Sequence, residues 1–349
     1  MGSDGARGGA DGADGAAPAD AGTGQPDGAP GDAGGGAADG GGGASFIVLV
    51  TESPPGPDNG NRASWGGVRA FFVRGTGAAL ESIEGIPAAS LADPAGLAFR
   101  ASSSEVFVSN RHGNNGADGV AGSITRFAFD PQTRRLSLRG TITGNGLAGV
   151  HQAAFNPVTG ELFAANVKGG ISRFTFDAAG TAVANGSIAT GEARGVAVSP
   201  DGKRLYVSGA TPVIQQFELP AGTEAGRVSV SGPNALLHYF APRGDELYAA
   251  GFSDNTVYRL TIGAADDLMA AGTVTASNPV AAAFSPDGAE MFAVGHRDAH
   301  LIARFAATPG VARATWTATA TVDVSFSGGG VLVLSGGAPA VIGPPGGGR

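Results

Sequence analysis

An all-β fold assembled from repeated units is what this sequence predicts. Three observations carry the expectation. A short pattern recurs along the chain, its copies alternate apolar with polar residues, and no stretch of ten or more residues holds a helical period. The copies read AGLAFRASSSEVFVSN from Ala95, QAAFNPVTGELFAAN from Gln152, RGVAVSPDGKRLYVSG from Arg194, LLHYFAPRGDELYAAG from Leu236, VAAAFSPDGAEMFAVG from Val280 and VDVSFSGGGVLVLSG from Val322. Aligned on Phe99, Phe155, Val198, Phe240, Phe284 and Phe326, they lie 56, 43, 42, 44 and 42 residues apart.

Each element follows from local chemistry. In the copy at Arg194, two apolar runs hinge on Pro200, Asp201 and Gly202. Proline fixes φ, aspartate bonds the backbone and glycine accepts a positive φ, so this is a tight turn between strands. Tyr206 then faces the core from the second strand. A third run follows in each unit: SITRFAFD from Ser123, GISRFTFD from Gly170, PVIQQFEL from Pro212, NTVYRLTI from Asn255 and HLIARFAA from His300. These runs alternate as half-buried strands do. A weaker fourth run comes next, such as LSLRGTI from Leu136 or ARATWTATAT from Ala312. Four short strands per unit of this length make one blade of a β-propeller.

The first strands of the domain read as the last three of a unit: FIVLVTE from Phe46, GGVRAFFV from Gly66 and ALESIEGI from Ala79. TVDVSF from Thr321 then supplies the missing first strand. One composite blade, shared by the N- and C-terminal strands, closes the ring and removes a sheet edge. Counting first strands gives a single propeller of six four-stranded blades over residues 45–337. VLVLSG from Val331 is surplus in that count, and it leaves a seven-blade ring open.

The flanks have another character. Residues 1–44 hold no aromatic residue and no aliphatic one larger than alanine after Met1, so they cannot bury enough area to offset ordering. They read as a disordered, extended tether. Residues 338–349 read as a flexible Pro/Gly-rich tail. Seven aspartates and one arginine give the tether a charge of −6, which leaves −2 of the total −8 for the remainder. The acidity therefore says little about a ligand, and no nucleic-acid partner is expected. The absence of cysteine fits an oxidising compartment without requiring one. No run of about eighteen apolar residues marks a membrane span.

GVAVSPDGKRLYVSG resembles the signature of the YVTN-type propeller repeats of bacterial and archaeal surface proteins. FVSNRHGNNGADGVAGSITRFAFDPQTRRL, residues 107–136, resembles the lactonase-type propellers, which include 6-phosphogluconolactonases. The shared points are Ser109, Asn110, Arg111, Ser123, Ile124 and Thr133. The resemblance covers residues 46–337 as architecture and a single blade as a motif. It implies a propeller, normally of seven blades, with His or Arg where the innermost strands begin. The tether is similar to those that follow the lipidated cysteine of surface lipoproteins, which implies an extracytoplasmic, periplasmic or cell-surface protein whose export signal is not visible in this chain.

Chemistry in such a ring sits at the channel openings, where loops entering the innermost strands meet those joining the second and third. His151 and Arg194 hold the position that the resemblance singles out. Glu52 ends the second strand of the composite blade, and these three are the candidate catalytic residues. Arg194 would stabilise an oxyanion, with His151 or Glu52 as general base. Asn110, Arg111 and His112 end the corresponding strand of the next blade. Asp254 and His296 share that register further on, and these five are candidate ligand-binding residues. Two long loops, ESPPGPDNGNR from Glu52 and RHGNNGADGVAG from Arg111, make one face asymmetric. No metal motif and no cofactor fingerprint occurs.

Two functional classes remain. The first is an exported or surface-tethered, monomeric propeller that binds a protein, glycan or small ligand on one face. Its only membrane link would be a lipid anchor outside this sequence. The second is a lactonase-like hydrolase acting on a sugar lactone at the channel mouth. A spread-out site favours the first, and a compact pocket joining His151, Arg194 and a carboxylate favours the second.

Overall fold

The computed structural model describes residues 45–53, 66–74, 80–86, 91–112, 121–230, 236–252, 254–296, 301–308, 315–323 and 327–335. The segments 1–44 and 338–349 and most of the two long loops lie outside the described residues. Among the described residues, the strands form six antiparallel sheets of four, and the one helical element is a 3₁₀ turn at Ala101–Ser103. The sheets are the blades of a single six-blade propeller.

Blade 2 shows the plan. Its strands Pro94–Arg100, Glu105–Asn110, Ser123–Asp130 and Arg135–Ile142 each pair with the next. Blades 3 to 6 start from the innermost strands Val150–Phe155, Gly195–Val198, Leu237–Arg243 and Pro279–Phe284. In blade 1, Ser45–Ser53, Val68–Arg74 and Glu81–Ile86 are the second, third and outermost strands, and Ser327–Ser335 is the innermost.

The composite blade therefore exists, but TVDVSF does not close it. Thr321 and Val322 belong to the outermost strand of blade 6, Trp316–Asp323, where they pair with Ala303 and Ile302. The closing strand carries Val331 opposite Val50 and Leu332 opposite Leu49. Pattern explains the exchange. VLVL is an unbroken apolar run, as an inner strand covered on both faces requires, whereas WTATATVD interleaves threonine and suits an exposed edge. The surplus strand disappears and the count is six. A second register differs as well. Pro242, not Phe240, faces Leu247 at the position where Phe155 faces Leu162.

Alternation builds the core. Phe46, Val48 and Val50 pack toward Phe292 and Val294 of blade 6, while Ile47 and Leu49 pack toward Val106 and Val108 of blade 2. Outermost strands such as Ala182–Ile188 are largely exposed. Four blades also hold a mostly buried ion pair between the entrance of the second strand and the middle of the third: Glu105–Arg126, Glu161–Arg173, Glu246–Arg259 and Glu290–Arg304. The turn after the innermost strand of blade 4 has the expected form. Gly202 adopts φ +77°, and a Cβ there would lie 2.5 Å from Asn156 Oδ1. Tyr206 is fully buried.

Candidate functional site at the channel mouth

Strand register places the site. Phe99, Phe155, Val198, Pro242 and Phe284 each face the same position of their second strands. Four residues earlier stand Ala95, His151, Arg194, His238 and Val280. All but Arg194 line one cavity, which Gly329 of the closing strand joins. The glycine, alanine and valine positions make an apolar half. His151, Arg194 and His238 are contributed by three consecutive blades and make a polar half.

Gln152 fixes those three blades together. Its Oε1 accepts hydrogen bonds from the backbone N–H of Val196 and of Phe240, both at 3.0 Å, and its Nε2 donates to the Phe240 carbonyl at 2.8 Å. An innermost strand has no neighbouring strand on its channel side, so these N–H groups need a side-chain acceptor. One buried amide supplies it across blades 3, 4 and 5.

Around this brace the polar groups interlock. Arg194 Nη1 lies 3.0 Å from His238 Nε2, which accepts because arginine has no acceptor. Arg194 also pairs with Glu192. The His151 ring meets that of His238 edge-on, with centroids 6.1 Å apart, and Tyr239 Oη is 3.5 Å from His151 Nδ1. His238 stacks on Phe252 at 4.6 Å. His296 Nδ1 donates to the Gly328 carbonyl at 2.8 Å. Arg111 and His112 clamp the buried Asp93 at 2.5 and 2.8 Å.

Burial pushes the His151 imidazolium well below the ordinary histidine range, and the charges of Arg111 and Arg194 push it the same way. His151 is therefore a neutral imidazole at pH 7. Burial holds the Tyr239 phenol up at about 12, so it stays a donor. Burial alone would raise Asp93. The hydrogen bond from His112 and the charge of Arg111 outweigh it, and the carboxyl lies below its usual value. The mouth thus presents the Arg111 guanidinium, imidazole nitrogens and a phenol around a cavity of about 20 Å³, with Arg194 held to His238 beside it. That is the space of about one water molecule.

The structure brings together His151, Arg194, Arg111 and His296, and it sets the other candidates apart. Glu52 is tied to Arg69 at 3.0 Å and does not line the cavity. Asn110 belongs to the scaffold: Oδ1 accepts from the Ala92 N–H, and Nδ2 donates to Ser123 and Thr125. Asn166 plays the same part in blade 3. His112 is the clamp on Asp93, and Asp254 accepts from the Tyr258 hydroxyl. Sequence reasoning missed His238, Tyr239, Asp93 and Gln152. Alignment of blade 5 on Phe240 displaced His238 by two positions. The register through Pro242 makes it the counterpart of His151. No group of three or more His, Cys, Asp or Glu residues suited to a metal ion occurs among the described residues.

No family model matches the chain, and no curated protein matches its sequence. Solved structures do match. The periplasmic gluconolactonase of Pseudomonas aeruginosa superposes with a TM-score of 0.60 at 15% identity, over 85% of this chain and all of that one. A candidate 6-phosphogluconolactonase from Bacteroides uniformis gives 0.56 at 19% identity, over 80% of this chain and 83% of its own. A chain of the nidogen–laminin complex gives 0.55 at 12% identity, over 83% of this chain and 98% of its own. At such identities what is shared is the fold: this chain is built as the β-propeller that lactonase-type proteins use.

Proposed function

We propose that this chain is an exported propeller that binds a small, oxygen-rich anionic ligand at the channel mouth. The observation that carries the reading is the polar half-ring: His151, Arg194 and His238 stand at one register of three consecutive blades, His151, His238 and Arg111 line the cavity, and Arg194 is held to His238 beside it. Guanidinium and imidazole donors suit carboxylate and hydroxyl oxygens. The site is compact, which favours a small ligand over a protein face. Export is supported by the Gly/Ala/Asp composition of residues 1–44 and by the periplasmic setting named for the Pseudomonas aeruginosa protein. Calorimetry with gluconate tests the reading. Arg194→Ala and His151→Ala should each weaken binding about tenfold or more, and Tyr206→Phe should not. Loss in Tyr206→Phe with retention in the other two refutes the division between scaffold and site.

Hydrolysis of a sugar lactone is the second reading, and one observation favours it. His151 is neutral and buried near two guanidiniums, so its imidazole can accept a proton from attacking water while arginine holds the carbonyl oxygen, but the same burial lowers its basicity. It ranks second because Asp93 and Glu192 are already paired. The cavity, with space for about one water, must widen for gluconate and for a lactone alike, so its size does not rank the two readings. Hydrolysis of glucono-δ-lactone above the buffer rate, abolished in His151→Ala, would place it first.

A further inference from the structure

Adjacent blades splay apart toward the rim, and the turn between the third and outermost strands of one blade meets its neighbour there. Four clefts are bridged. Arg134 of blade 2 lies 3.7 Å over the Phe72 ring of blade 1. Arg173 of blade 3 donates to the Pro220 carbonyl of blade 4 at 2.9 Å. Tyr206 of blade 4 donates to the Asp266 carbonyl of blade 5 at 2.8 Å. Trp316 of blade 6 donates to Tyr248 of blade 5 at 2.9 Å. The cleft between blades 2 and 3 is closed only at its base, where Arg100 and Arg126 of blade 2 lie over the Phe176 ring of blade 3, and not by its turn. Its turn reads Asp177-Ala178-Ala179-Gly180-Thr181, with no large side chain to reach across, and a cleft of about 800 Å³ remains.

The lining is cationic and hydroxyl-rich. Arg100 lies 4.1 Å and Arg126 5.5 Å from the Phe176 ring centroid. Arg126 Nη2 donates to Glu105 at 2.7 Å. The Nε of Arg100 and of Arg126 are both buried and meet no acceptor among the described residues. Arg139 adds an exposed guanidinium, so three cations face one carboxylate, Glu105. Thr141, Thr143, Asn145 and Thr181 supply hydroxyl and amide groups. The large apolar members, Ile142 and Phe174, are buried and offer no anchor of the kind protein interfaces use. The volume lies in the range of small-ligand sites.

We propose that this cleft binds an acidic oligosaccharide, with carboxylates on the arginines and hydroxyls on the threonine and asparagine side chains. It is a site separate from the channel mouth. Calorimetry of the full chain with trigalacturonate as probe, and maltotriose and hexaglutamate for comparison, tests it. Trigalacturonate should bind at low salt. Arg100→Gln and Arg139→Gln should each weaken it about tenfold, as loss of a charge-assisted pair does. Ala179→Trp, on an exposed turn, should block it, and Arg194→Ala at the mouth should leave it in place. A thermal melt of each variant checks folding, and the exposed Arg139 keeps the test open if Ala179→Trp fails to fold. Equal binding of maltotriose, tighter binding of hexaglutamate, loss in Arg194→Ala with retention in Arg139→Gln, or no binding at millimolar probe would each overturn the proposal.

Discussion

Gln152→Met is the sharpest perturbation of the mouth. Methionine keeps the length of the side chain but neither accepts from Val196 and Phe240 nor donates to the Phe240 carbonyl. Both N–H groups stand on the channel side of innermost strands, where no ladder partner exists. A buried donor stripped of its acceptor costs about 1–3 kcal/mol, so the two together cost about 2–6 kcal/mol. That is a large part of the about 5–15 kcal/mol that holds a domain folded. Urea unfolding followed by tryptophan fluorescence reads the loss as a lowered midpoint with an unchanged slope. Gluconate affinity should fall in protein that remains folded, because the same amide sets the spacing of His151, Arg194 and His238. A loss below about 1 kcal/mol would refute the claim that Gln152 ties three blades together.

Three further outcomes are expected. Truncation after Asp323 removes Val331, Val333 and Leu334, each worth about 1.5–3 kcal/mol of burial, so the product should aggregate through open edges; a soluble monomer with native near-ultraviolet circular dichroism would contradict the closing strand. Arg304→Ala strands the buried Glu290 carboxylate and should cost about 3–5 kcal/mol, whereas the double change Glu290→Leu with Arg304→Met should recover most of it; equal losses in a denaturation series would count against this. The folded-state pKa of His151 lies below its unfolded value, so the unfolded chain binds the extra proton and stability falls as pH drops below about 6.5. His151→Gln should flatten the melting temperature between pH 7 and 5, and an unchanged slope would remove His151 as its source.

Much of the ring was legible because its causes are local. Pro200-Asp201-Gly202 encodes its own turn, and FIVLV encodes a strand covered on both faces. The composite blade followed from counting, yet the choice between TVDVSF and VLVLS hinged on which run lies at an edge. That is a tertiary fact. The site was legible where a polar residue stood out against the repeat, as His151 and Arg194 do. His238 escaped because blade 5 carries Pro242 where a comparison with blades 3 and 6 expects phenylalanine, and Phe240 two residues earlier took its place in the alignment. Gln152 escaped because its partners, Val196 and Phe240, come close only once the ring is built, and Asp93 because it meets His112 only when the first two strands of blade 2 pair. Asn110 stood out for the opposite reason: in sequence it cannot be told from a ligand-binding residue, while in space its amide is spent on Ala92, Ser123 and Thr125.

The closing strand also sets a timetable. Phe46 pairs with Ser335, so nearly the whole propeller lies between two residues that must meet. The entropy of closing so long a loop grows only logarithmically with its length, but contacts this distant in sequence are slow to form. The strands Ser45–Ser53, Val68–Arg74 and Glu81–Ile86 are synthesised long before Ser327–Ser335 and keep an open inner edge until it arrives. Gly329 of that late strand lines the mouth. A chain made only as far as Asp323 therefore holds five complete blades and an unfinished site, and recognition waits for the strand Ser327–Ser335.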